Sequence, residues 1–171
     1  MAIILTTDRL RLRHAECRDA PAMLLLLNEA GFLQNIGDKQ VRDLAGAEQY
    51  LQNGPIASYL QHGFGLYLIE RLSDDAVLGL CGLVQRDYLD RPDVGYALFE
   101  QFSGAGYTSE AALAVVQFAR EQLGIRQLCG IVSPHNLASK RILEKVGMLQ
   151  VGQKIVPGSD KLVDYYQLDL V

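Results

Sequence analysis

Gln101-Phe102-Ser103-Gly104-Ala105-Gly106-Tyr107-Thr108 decides how the rest of the chain is read. An apolar run, Val94 to Phe99, precedes it and reads as a buried strand; Ser109 to Leu123 follows and reads as a helix. Gly104 and Gly106 lack a Cβ, so backbone N–H groups there can turn toward a ligand and approach it closely. The helix behind adds unpaired first-turn N–H groups and the positive end of its dipole. A phosphate or diphosphate suits such a loop; the plainer alternative is a tight turn. Two familiar phosphate loops are excluded. No G-x-x-x-x-G-K-[ST] occurs, and Ser109 stands where G-x-G-x-x-G needs its third glycine. A dinucleotide fold would also carry its glycines near the first strand.

Working outward, Asp93 to Phe99 is the strand that feeds the loop. Phe64 to Arg71 and Ala76 to Arg86 read as a hairpin around Ser73-Asp74-Asp75. Leu78 to Val84 is apolar on both faces, which predicts a central strand. The helix from Ser109, with Thr108 as its expected cap and Gly124 as its stop, leads to a strand at Gln127 to Val132. Strand, helix and strand make a right-handed crossover, so these two strands are expected to run parallel. Asn136 to Val146 reads as a short helix. Met148 to Val156 and Lys161 to Leu170 read as a last hairpin.

At the other end, Arg9 to Arg13 alternates cleanly, which predicts an antiparallel strand with leucines inward and arginines on a wet face. Asp19 is an expected helix cap, with Pro21 in the first turn. Glu29 to Asp43 carries Gly and Asn breaks and reads as a mobile connection. Ala45 to Leu60 reads as helix interrupted at Asn53-Gly54-Pro55. No repeat, low-complexity tract or boundary is visible, so residues 1–171 are expected to form a single domain.

The 171 residues can bury a proper core, and 49% hydrophobic with 21% charged residues is the balance of an ordinary globular protein. A net charge of −4 argues against a sequence-independent nucleic-acid partner. Cys17, Cys81 and Cys129 are too scattered for a disulfide framework or zinc site, and no metal is expected. Met1 to Thr7 lacks a basic region followed by a long apolar run, and no segment is long enough to span a membrane. A reducing cytoplasm is the expected location.

Gln-x-x-Gly-x-Gly, met by Gln101, Gly104 and Gly106, resembles the acetyl-CoA diphosphate loop of the GNAT acyltransferases. A second stretch, Asn136 to Met148, is similar to the N-x-x-S-x-[RK]-[VIL]-[LIM]-E-[KR]-x-G-[FM] pattern of the RimJ/RimL-like branch, agreeing at Asn136, Ser139, Arg141, Ile142, Leu143, Glu144, Lys145, Gly147 and Met148. With Asp93-Val94-Gly95-Tyr96, the resemblance covers roughly residues 65–150. It implies a mixed α/β fold, the GNAT fold: a twisted, mostly antiparallel sheet of about seven strands with a splayed parallel pair, flanked by about four helices. It also implies that residues 28–62 wall the substrate side.

The implied reaction is direct acetyl transfer from acetyl-CoA to an amine, either a protein N-terminal α-amine or a small-molecule amine. The rival reading is a non-catalytic acyl-CoA-binding sensor. The resemblance places the coenzyme on Leu98, Phe99, Gln101, Gly104, Ala105, Gly106, Tyr107, Thr108, Asn136, Ser139 and Arg141. A strand bulge is expected to free the N–H of Leu98 or Phe99 for the oxyanion. Lys140 and Arg141 offer charge to the nucleotide end. Ser139 is the candidate thiolate acid, although no tyrosine follows it on the helix. Asn136 either contacts the ligand or caps the helix. Asp93 either steers a water toward the amine or is a solvated strand-start carboxylate. His14, His62 and His135 read as surface residues, with His62 able to line an acceptor pocket. A homodimer is compatible with the sequence, which does not fix the assembly.

Overall fold

The alternation at the N-terminus folds back on itself. In the computed structural model, which describes residues 2–171, β1 (Ile3–Thr6) and β2 (Leu10–His14) form an antiparallel hairpin. Met1, the first residue of the stretch read for a targeting signal, lies outside the described residues. Thr7 closes the turn: its N–H donates to the Leu10 carbonyl at 2.8 Å, and the Leu10 N–H donates to Thr7 Oγ1 at 3.1 Å. Ile3–Thr6 thus adds a strand to the one expected at Arg9 to Arg13, and among the described residues the sheet has eight strands rather than about seven. β3 (Leu66–Arg71), β4 (Val77–Val84), β5 (Asp93–Leu98), β6 (Gln127–Val132), β7 (Leu149–Val156) and β8 (Lys161–Asp169) complete it, in the order β1-β2-β3-β4-β5-β6-β8-β7. Every neighbouring pair is antiparallel except β5 and β6.

Helices cover both faces. Between the crossover strands lies α5 (Tyr107–Glu121), and α6 (Leu137–Lys145) follows β6. Ala111, Ala112, Val115 and Ala119 of α5 pack on Leu12, Ile69, Leu83 and Val94. On the opposite face lie α1 (Ala20–Leu27), α2 (Ala30–Asn35), α3 (Leu44–Leu51) and α4 (Ala57–His62). Met23, Leu26, Leu27, Ala47 and Leu51 pack there on Leu68, Leu80 and Ala97. The period of two sends Ile69 to one layer and Leu68 to the other, which is why β3 and β4 are apolar on both sides.

Three expectations change in this layer. Glu29 to Asp43 is not simply a connection, because it contains α2, whose Phe32 is buried. The helix from Leu44 is not interrupted either. A π turn at Gln52–Ile56 carries α3 into α4 and accommodates Pro55, which has no N–H to donate. Counting α3–α4 as one run gives five helices where about four were expected. The arginine face of β2 is not wet. Arg13 is 1% exposed; its Nη1 and Nη2 donate to both Asp19 oxygens at 2.9 and 2.8 Å, and Nε lies 3.2 Å from Glu70. Asp19 also accepts the Glu16 N–H at 2.8 Å, so its carboxylate serves Arg13 and the turn before α1 rather than capping α1.

β5 and β6 share one rung, Asp93 opposite Cys129, and then diverge toward their carboxyl ends. The expected bulge in β5 is absent: its register with β4 runs unbroken from Val84↔Asp93 to Gly79↔Leu98. The irregularity lies on the other edge of β4, between Ile69 and Glu70 of β3. Gly79 sits there, and a Cβ on it would stand 2.0 Å from the Ala97 carbonyl oxygen. Among the described residues no helix is long and apolar enough to cross a membrane.

Candidate active site

The glycine loop leaves β5 through a 3-10 turn, Glu100–Phe102, and enters α5. Gly104 (φ +86°) and Gly106 (φ +80°) are left-handed, a conformation costly for other residues. Gly106 is the N-cap of α5, and the helix starts at Tyr107, so Thr108 lies inside the first turn and is not the cap. The first return bond of α5 runs from the Glu110 N–H to the Gly106 carbonyl at 3.1 Å. The N–H groups of Tyr107, Thr108 and Ser109 thus meet no protein acceptor among the described residues. No heavy atom comes within 4 Å of where a Gly104 Cβ would stand, so the loop surface is open. The charge that braces it comes from the turn between β1 and β2, a role the sequence reading missed. Arg9 donates from Nη1 to the Ala105 carbonyl at 2.9 Å, pairs with Glu110 at 2.8 Å and lies 4.3 Å over the Tyr107 ring. Gln101 and Ala105 are exposed on the same loop.

The gap between β5 and β6 has a definite polarity. The Phe99 N–H donates to the Leu78 carbonyl at 2.8 Å, so Phe99 is removed as an oxyanion donor. By alternation along the unbroken β4 register, the N–H groups of Val94, Tyr96 and Leu98 face away from β4; that of Val94 meets β6 at the shared rung, and those of Tyr96 and Leu98 face the gap. The Leu98 N–H is thus turned toward the gap.

Across the gap stands α6. Asn136 is its N-cap, and Oδ1 accepts the Ser139 N–H at 3.3 Å, so the capping alternative is realised. Lys140 is held by Asp164 at 2.7 Å and is not free for a nucleotide, whereas Arg141 is exposed. The missing tyrosine comes from β5. Tyr96 Oη lies 2.7 Å from Ser139 Oγ and donates to the Ser139 carbonyl at 3.1 Å. Burial pushes the Tyr96 hydroxyl well above its ordinary pKa, so it stays protonated at neutral pH.

On the α1–α4 face, a cavity of about 290 Å³ opens between α3–α4 and the ends of β3 and β4. His62 lines it, as the sequence allowed. Leu66 and Val84 of its wall stand 3.3 and 3.5 Å from where a Gly95 Cβ would be, so the wall reaches β5 one residue beyond Val94. Asp93 is not a solvated carboxylate. It is 2% exposed, accepts from Arg86 Nε at 2.8 Å, and its Oδ1 has no hydrogen-bond partner. Burial pushes its pKa up to about 6 in spite of Arg86. His14 is also not a plain surface residue: it stacks on Tyr59 at 4.0 Å, and burial lowers its pKa.

A family model described as an acetyltransferase (GNAT) domain matches residues 9–149. The chain belongs to the GNAT acetyltransferase family. The YkkB protein of Bacillus subtilis is 30% identical over 151 residues, 84% of each chain. An acetyltransferase from Agrobacterium tumefaciens superposes with a TM-score of 0.82 at 26% identity, over 98% of this chain and 94% of that one. RimL, a ribosomal alpha-N-protein acetyltransferase solved with coenzyme A, superposes with a TM-score of 0.82 over 98% of both chains. At 23% identity that likeness is one of fold. As a GNAT protein the chain is an acetyl-CoA-dependent acetyltransferase. Its open glycine loop, unpaired first-turn amides and splayed strands fit that donor.

Proposed function

We propose that this GNAT enzyme acetylates a primary amine by direct attack on acetyl-CoA within a ternary complex, in the cytoplasm. The amides from Gly104 to Thr108 receive the diphosphate, with Gln101 and Ala105 on the same loop. Arg141 faces the nucleotide end. The exposed edge of β5 pairs with the pantetheine arm, and the Leu98 N–H faces the developing oxyanion. No acyl-enzyme is needed, and the buried thiols do not favour one. Burial pushes both Cys81 and Cys129 up to about 12, which leaves almost no thiolate. As the amine nitrogen bonds to the acetyl carbon, the C–S bond breaks and its electron pair goes to sulfur. The sulfur takes a proton from Ser139 Oγ as Tyr96 Oη turns its own proton from the Ser139 carbonyl to Oγ; the nitrogen sheds its proton to water, and solvent returns one to Tyr96. Asn136 fixes Ser139 by capping α6. Asp93 acts from behind Arg86 and orders water at the base of the gap.

The observation that carries this reading is the 2.7 Å contact between Tyr96 Oη and Ser139 Oγ across the open pair of strands. Thiol release from acetyl-CoA, followed over a panel of amines, tests it. Tyr96→Phe and Ser139→Ala are each expected to lower kcat by about 100-fold, the scale of acid catalysis by one side chain. The KM for acetyl-CoA should change little. Unchanged kcat in both variants would remove the relay.

A further inference from the structure

The cavity beside β5 carries one sign of charge. Lys39, His62 and Arg86 reach its wall together with Tyr50, Ser58 and Gln61, and no Asp or Glu lines it. Composition does not predict this, since the chain has 20 acidic residues against 16 basic. Asp93 matches Arg86 from behind, at Nε. Among the described residues Lys39 has no such match. The residue is exposed as a whole, yet lost hydration at its amine and the like charge of Arg86 both hold its pKa below the ordinary value. Two cations within each other's field, over neutral hydrogen-bonding groups, are relieved by an anion and opposed by a third cation. The cavity, about 290 Å³, lies at the lower end of the range for ligand pockets, about 300–1,000 Å³.

Resting on the transfer reaction proposed above, we infer that the acceptor is a small primary amine that also carries an anionic group, a carboxylate or a phosphate. Lys39 and Arg86 hold the anion, and the amine points toward β5 at Gly95, where Leu66 and Val84 of the wall meet the strand. Polyamines and polycationic antibiotics are excluded as acceptors by the same charges. Carboxylate and phosphate share this chemistry, and the choice between them falls to the assay.

The test compares β-alanine and O-phosphoethanolamine with β-alaninamide, ethanolamine and spermidine. Each is followed by thiol release from acetyl-CoA and by calorimetry on the CoA-saturated protein. The wild type and Lys39→Glu are both measured; Lys39 is exposed, so folding and CoA affinity are expected to persist. At least one anionic amine should exceed its neutral counterpart by about tenfold in kcat/KM and in affinity, the scale of one charge-assisted hydrogen bond. Lys39→Glu should abolish that margin. Equal use of the neutral amines, preference for spermidine, or a margin untouched by Lys39→Glu overturns the inference while leaving acetyl transfer standing. Lys39-dependent heat from an anionic amine, with no thiol released from any amine, supports the anion site and overturns the transfer reaction instead.

Discussion

Asp93 ties the stability of the protein to pH through one buried carboxyl. Burial raises its pKa to about 6, above the roughly 3.9 of an unfolded aspartate. Between those values the folded chain keeps a proton that the unfolded chain has released. The stabilisation tied to Asp93 is therefore complete below about pH 4 and is lost as the pH rises through about 6, by at most about 3 kcal/mol. Urea denaturation of wild type and Asp93→Asn should show the wild type losing ground against the variant across that window. A difference that does not vary with pH would show the carboxyl to be ionised throughout. Of the residues at the site, the glycines, Asn136 and Ser139 were legible because each belongs to a local pattern. Tyr96 was not: its partner lies 43 positions away, and only the crossover brings β5 beside α6. Lys39 and Arg86 were illegible for the same reason, since one precedes α3 and the other follows β4.

The elements were read well where periodicity alone decides them, as in β4 and α5, and less well where a charged side chain is buried. The alternation of β2 predicted its strand but misjudged its surface. Arginine in a strand pattern reads as wet, and the carboxylates that bury Arg13 belong to other elements, Asp19 before α1 and Glu70 on β3. This ion cluster fastens the α1 end of the helical layer to the sheet. Arg13→Met leaves Asp19 without its bidentate partner, and a loss of about 3–5 kcal/mol is expected. Adding Asp19→Leu should recover part of that loss, because the second change removes the stranded charge. A single-variant loss below about 1 kcal/mol, measured by urea denaturation, would mean that the cluster is incidental. The run from α3 to α4 was misread because Pro55 normally ends a helix, whereas a π turn absorbs it here.

At the scale of the whole molecule, the sheet is two sheets meeting at one rung. β1 to β5 form a continuous ladder, β6 to β8 form another, and among the described residues Asp93 opposite Cys129 is the only register pair between them. Under the proposed seat for acetyl-CoA, the donor fills the divergence and bonds to the free edge of β5. At 100 times its Kd it should stabilise the fold by about 2.7 kcal/mol, visible as a rise in Tm that ATP and NAD do not reproduce. An equal rise with ATP would point to a general nucleotide site. The single rung has a mechanical consequence as well. The three C-terminal strands can rock against the larger ladder until a pantetheine wedge stiffens the seam, so departure of spent CoA should accompany a loosening of β6 against β5, detectable as faster amide exchange at Cys129 and Ile131, whose N–H groups face β5.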